Sequence, residues 1–362
     1  MSNVSLDEAS YHEGAKKIIY FESYYSDGKR AFPKLGHLIE QLSESRQFST
    51  TNDPSQADWI FFLEGDSGHY YYHLRRHQVL RDYYKKCYLY GQIKCYLYPI
   101  PGVYTSLSRK QLKSGLLRSF CYLPFGEGID NPYILWDKNE IHERPYFFSF
   151  VGAATSWTRR WLMRTDFKRS DILIEDTTDF RFWDLTHSEE QRRHRHSYYA
   201  QVIRDSEFVL CPRGTGLGTI RLFEVMRMAR VPVIIADNYA FPEGPNWESF
   251  SIVIPERRIG DIPRILEKYR SCSKEMGLAA EDAWRKHYAP GVLMEHLCEM
   301  VDQIARVPRS HKILERMGWS IKVIIYRFVT ALRILARELL IHFWRALGSS
   351  CPYRFLDRRS RR

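Results

Sequence analysis

The chain has 362 residues, 44% of them hydrophobic and 27% charged, which excludes a wholly disordered polymer and leaves ample length for a packed core. Its seven cysteines are scattered and form no CxxC pair, so a secreted disulfide framework and a structural zinc site are not expected and a reducing compartment suits them. The net charge of +11 is concentrated in residues 309–362, with 13 Lys/Arg against 3 Asp/Glu, so the near-neutral remainder excludes a uniformly basic nucleic-acid surface.

The polar, acidic start lacks the basic residues and apolar run of a signal peptide, so no leader is expected. Lys17 to Phe21 is a candidate first strand, and Leu35, Leu38, Ile39 and Leu42 give residues 34–46 one helical face. Ala57 to Leu63 reads as a strand buried on both faces, as in a parallel sheet. Residues 70–86 suit a helix and Lys94 to Tyr98 another strand, a βαβ spacing. Residues 99–145, rich in Pro, Gly and Tyr, read as loops and a crossover between two domains.

After the crossover, Phe147 to Ala153 is a strand running into a glycine turn. Residues 157–169 suit a helix, Asp171 to Glu175 a strand, and 187–204 a helix with a polar face. In SEFVLCPRGTGLGTIRLFEVMRMARVPVIIAD, residues 206–237, a strand-like run leads to Gly214, Gly216 and Gly218. Helical periodicity follows from Thr219 to Ala229, and a further strand spans Val231 to Ala236. Ser251 to Ile254 is an edge strand. Helices are expected over 259–269, 278–288 and 291–306, the last ended by Pro308.

Glycines between a strand and a helix let backbone amides approach an oxyanion. Arg213 in that turn suits a diphosphate, and Arg221 lies within reach of the same site. The carboxylate of Glu224 suits the two hydroxyls of a ribose. The blander readings are a surface turn residue for Arg213, and for Glu224 an ion pair with Arg221 or Arg227. The turn is neither GxGxxG with a later acidic residue nor a Walker pattern.

This stretch, continued by NYAFP and WESFSIVIPE, resembles the C-terminal signature of the exostosin-like glycosyltransferases. Cys211, Pro212, Arg213, Gly214, Thr219, Arg221, Glu224, Pro232 to Ile235 and Asp237 fit that pattern. FFSFVGA at 147–153 resembles the family's Phe-Ser-Phe-x-Gly strand, and ADWIFFL at 57–63 its N-terminal strand. The resemblance implies an α/β protein of GT-B type, two Rossmann-like domains facing a cleft. Residues 1–145 would form the acceptor domain, 146–308 the donor domain and 309–362 a basic amphipathic helical tail. It implies an inverting transfer, without cofactor or bound metal, from a nucleotide sugar, most often UDP-linked, to a glycan or lipid-linked saccharide. Arg213 would contact the diphosphate and Glu224 the nucleoside or sugar, with Gly214, Gly216, Thr219, Arg221 and Asp237 completing the donor site. Two departures stand out: Ala229-Arg230-Val231 replaces a small-residue turn, usually Gly-Cys or Gly-Ala, and Thr219 stands where Ser is commoner. No N-terminal anchor of the kind usual in the family is seen, which suggests a cytosol-facing enzyme.

A single displacement needs a general base. Glu64 and Asp66, just beyond a predicted strand, rank first, ahead of Asp130, Asp176 and Glu243. Trp136 and Trp247 are the loop aromatics assigned to the acceptor. His69, His73 and His77 share a helical spacing but have no accompanying carboxylates, and read as a polar face rather than a metal site.

In the tail, over residues 319–362, Ile321, Ile324, Ile325, Phe328, Leu332, Leu335, Leu339 and Phe343 are apolar, while Lys322, Arg327, Arg333, Arg337 and Arg345 interrupt every segment long enough to span a bilayer. That is the pattern of an interfacial helix on an anionic membrane, and RFLDRRSRR adds to the attraction. The expected location is cytoplasmic, peripheral on the cytosolic membrane face. A helix packed on the body is the bland alternative. Nucleic-acid binding through the tail, and a catalytically inactive glycan-binding protein, are the rival functions.

Overall fold

The computed structural model describes residues 15–23, 39–64, 76–92, 98–123, 131–137, 143–180 and 187–309, with single positions at 36, 74 and in the tail. One compact unit comprises residues 1–96 and 100–308. A second comprises 97–99 and 309–362.

The first unit holds two wholly parallel sheets. Six strands, β1 (Lys17–Ser23), β2 (Phe48–Thr50), β3 (Trp59–Glu64), β4 (Cys87–Gly91), β5 (Gly102–Tyr104) and β6 (Leu117–Ser119), lie in the order β2-β1-β3-β4-β5-β6. Five more, β7 (Tyr146–Gly152), β8 (Ile172–Asp176), β9 (Ser206–Pro212), β10 (Val231–Ile235) and β11 (Ile252–Val253), lie in the order β11-β10-β9-β7-β8. Parallel pairing requires crossovers that cover both faces, which is why the central strands are continuously apolar. Ile60 to Leu63 are fully buried, as are Phe208 and Leu210. The α/β class with two Rossmann-like sheets is as expected.

Seven α-helices are described: α1 (Gln78–Asp82), α2 (Trp157–Arg164), α3 (Glu189–Arg204), α4 (Arg221–Arg227), α5 (Ile262–Leu266), α6 (Ser273–His287) and α7 (Pro290–Ala305). Ser188 caps α3 in a capping box with Gln191, and Ser156 caps α2 by accepting from Arg159 N.

The strand expected at Lys94 to Tyr98 falls on residues of which 94–97 lie outside those described. Two expectations need correction. Residues 99–145 contain β5 and β6, each three residues long and too short for an alternation signal. Helix α7, assigned to the second domain, packs on β5 and β6 of the first sheet and on the turn before β2. Ser45 Oγ donates to Glu295 at 2.8 Å and Gln47 Nε2 to Glu299 at 3.3 Å. An amphipathic helix shows that it has an apolar face, but not which sheet that face will cover.

The loop after β10 also joins the two sheets. Ala240 N donates to Leu107 O, Ser119 Oγ donates to Ala240 O, and Arg118 pairs with Glu243 at 2.7 Å.

Candidate functional site

In the second sheet the strand order reverses between β7 and β9, where crevices outside strand carboxyl ends collect ligands. The chain leaves β7 at Gly152 and β9 at Pro212, so residues 152–156 and 213–220 lie side by side there. The glycine turn divides into two halves. Positions 213–217 are partly or fully accessible, whereas Gly218 and Thr219 are buried. Gly218 N donates to Ser106 Oγ at 3.1 Å, and a Cβ on Gly218 would fall 2.2 Å from the Thr105 carbonyl oxygen. The turn is therefore pinned to the carboxyl end of β5, and Gly218 admits no side chain.

Arg213 N donates to Ile235 O, and Ser156 Oγ donates to Arg213 O at 2.8 Å. Arg213 Nε donates to Glu256 Oε1 at 2.8 Å and has no other side-chain partner among the described residues. Glu256 also accepts from Asp237 N at 3.2 Å and from Thr158 Oγ1, while its own N–H donates to the Asp237 carboxylate. Asp237 thus closes the end of β10 against Glu256.

Arg221 is only 7% exposed. Its Nη2 donates to Val151 O, its guanidinium lies 4.4 Å from the Phe150 ring centre, and its Nε and Nη1 have no hydrogen-bond partner. Beside it, partly buried Arg159 donates to Pro212 O, Ala153 O and Thr219 Oγ1. Burial first, and then the Arg221 charge, pulls the Arg159 guanidinium down to about 9. Neither guanidinium pairs with a carboxylate among the described residues. Gly152 makes room for this pair, since a Cβ there would lie 2.6 Å from Arg221 Nη2. Glu224 accepts from the Tyr199 hydroxyl at 2.7 Å. Burial pushes the Cys211 thiol up to about 12, so it packs as a neutral group.

The structure gathers Arg213, Gly214, Gly216, Thr219, Arg221, Glu224 and Asp237 on consecutive segments around β9 and β10. Glu64 ends β3, beside the order reversal between β1 and β3 of the first sheet. Asp66, Asp130, His69 and His73 lie outside the described residues. Trp136 is partly buried in a loop. Trp247 is corrected from acceptor residue to core residue. It is 7% exposed, its Nε1 donates to Pro242 O, and Phe241 and Phe250 flank its ring. Glu243 is paired with Arg118, and Asp176 holds Thr178. His77 precedes α1 with its ring edge on Phe62, and no cluster of three metal-ligating side chains occurs among the described residues.

Arg159, Tyr199 and Glu256 are the site residues that sequence reading passed over. Each was within view: Arg159 follows the FFSFVGA strand by one turn, Tyr199 sits in the helix feeding β9, and Glu256 ends WESFSIVIPE. Only their convergence on residues 213–221 gives them meaning.

Residues 123–269 match the family model of the Exostosin GT47 domain. The matched stretch, about two fifths of the chain, is similar to exostosin GT47 domains. The matched residues contain the whole second sheet and leave β1 to β6 and α7 outside. Exostosin-2 of Bos taurus is 37% identical over 93 residues, covering 25% of this chain and 13% of that protein. The Exostosin-1 homolog of Caenorhabditis elegans is 29% identical over 141 residues, 36% of this chain and 37% of that protein. The chain therefore spans well under half of these relatives. A glycosyltransferase structure from Rickettsia africae ESF-5 aligns over 82% of this chain and all of its own, at 10% identity and a TM-score of 0.41.

Proposed function

We propose that this protein is an inverting glycosyltransferase. It moves a hexosyl or pentosyl group from a nucleotide-diphosphate donor, read as UDP-linked, to a glycan or lipid-linked saccharide. The observation that carries this reading is the pair Arg159 and Arg221, two guanidinium groups drawn inward at the sheet's switch point without a carboxylate partner. Buried cations of this kind are stabilised by an anion, and a diphosphate supplies one of the right size and charge.

In the step we infer, an acceptor hydroxyl oxygen attacks the anomeric carbon and the bond to the diphosphate oxygen breaks. The diphosphate leaves with the electron pair, and the hydroxyl proton passes to Glu64 or Asp66. Arg221 and Arg159, with the outer amines of Arg213, would stabilise the departing charge, so no divalent ion is needed in this scheme. Gly214 and Gly216 keep the turn's backbone approachable, Thr219 anchors it through Arg159, and Glu224 would hold the nucleoside or sugar. Lipid-linked acceptors are presented at membranes, and the cytosolic face is where we place the enzyme.

The test is a screen of UDP-, GDP- and other nucleotide sugars for thermal stabilisation and slow donor hydrolysis, with and without chelator. One diphosphate should raise the melting temperature, and its sugar should be released slowly in chelator. Stabilisation by none, or only with a divalent ion, would overturn the scheme. Stabilisation by glycans alone would mark an inactive binding protein.

A further inference from the structure

In the second compact unit, every described position from 321 to 339 is helical and apolar. Exposure runs from 48% at Leu332 to 65% at Ile324. At 3.6 residues per turn, these positions fall within an arc about 100° wide. Lys322, Arg333 and Arg337 are interspersed among these positions in the sequence and lie outside the described residues. An accessible stripe of Ile, Leu and Phe this long is costly to leave in water. No described helix is long and apolar enough to cross a membrane.

We infer that this stripe lies in the plane of an anionic bilayer, with its Ile, Leu and Phe side chains in the acyl boundary and the flanking Lys and Arg on lipid phosphates. Charge complementarity selects this occupant. Residues 309–362 carry 13 Lys/Arg against 3 Asp/Glu, a net +10 suited to an anionic surface and strongly self-repelling in a second copy of the tail. Nucleic acid would satisfy the charge but leave the apolar stripe wet, whereas the interface of a bilayer takes both. The binding needs no transferase activity and goes beyond the reading of the donor site.

The experiment uses the full chain in vesicle co-sedimentation, with phosphatidylcholine alone and with about a third phosphatidylserine. Nucleotide-induced thermal stabilisation of the same samples is measured in parallel. The chain should pellet with the anionic vesicles and stay in solution with the neutral ones. The exposed-site double variant Leu332→Asp with Leu335→Asp should lose more than about 100-fold in partition while the melting of the body is unchanged. Replacing Lys322, Arg333 and Arg337 by Gln should weaken binding by about 10-fold or more. Failure to pellet, equal pelleting with neutral vesicles, steeply salt-dependent duplex binding in place of vesicle binding, or a dimer dispersed by the Asp pair without vesicle binding would each overturn the inference. Because the nucleotide response is read separately, loss of one reading leaves the other standing.

Discussion

Glu256 Oε1 receives the Arg213 Nε–H at 2.8 Å and the Asp237 N–H at 3.2 Å, so one carboxylate sets both the direction of a guanidinium and the exit of the chain from β10. Removing it leaves Arg213, Thr158 Oγ1 and Asp237 N without an acceptor. We expect Glu256→Ala to destabilise the fold by about 1–3 kcal/mol and to weaken nucleotide-diphosphate binding about 10-fold. Urea melts and a ligand titration check the two effects. Unchanged affinity would show that Arg213 needs no such direction.

Arg221 gives the opposite sign in stability. Its guanidinium is buried with two unpartnered groups, so a neutral side chain of similar length should fit the site at less cost. Arg221→Met is expected to melt at the same temperature or higher than the parent protein, and to lose the shift that a nucleotide diphosphate produces. A destabilised variant that still responds to nucleotide would remove Arg221 from the donor site.

Ala229 has a left-handed φ of 52° just after α4, the place where the resemblance expected a small residue, often Gly. The carbonyl of Ala229 accepts from Arg230 Nη1, and Arg230 also reaches Arg204 O, so the turn is held against the end of α3. A Cβ in that conformation costs about 1 kcal/mol. Ala229→Gly should therefore stabilise the protein by several tenths to about 1 kcal/mol in equilibrium unfolding, the opposite of most glycine substitutions.

His287 lies against the Gly244 turn, where φ is +113°, with Nδ1 buried and unpartnered. Burial first, then the charges of His296 and Lys286, holds its imidazole below the ordinary 6.5. Between the folded value and 6.5 the unfolded chain binds more protons, so this group's contribution to stability is lost as pH falls through that window. The melting temperature should drop from pH 7 toward pH 5, and His287→Gln should flatten part of that slope. Identical slopes in the two proteins would assign the acid sensitivity elsewhere.

Trp157 and Trp161 are 59% and 43% exposed on α2, whose cap Ser156 donates to Arg213 O, while Thr158 and Leu162 hold the opposite side of that helix in the core. Arg160 lies over Trp157 at 5.4 Å. This is an accessible aromatic surface next to the turn. Trp157→Ala and Trp161→Ala should leave melting within about 0.5 kcal/mol of the parent and raise the KM for a saccharide acceptor, with the donor KM unchanged. A change in donor KM alone would reject an acceptor role.

By itself, the sequence determined the repeated strand and helix pattern, the glycine turn between β9 and α4, and the basic, apolar-striped tail. These are local properties: continuous apolar runs, helical spacing and turn chemistry depend on residues a few positions apart. Tertiary structure alone decided which of the predicted groups have partners. Arg213 and Arg221 look alike in the sequence, yet one is tied to a carboxylate 43 residues later and the other is buried without one. Trp247 and Trp157 look alike too, and only packing made the first a core residue and the second a surface. The destination of α7 was hidden for the same reason, because an apolar face records the need for a partner and the chain's long-range path supplies it.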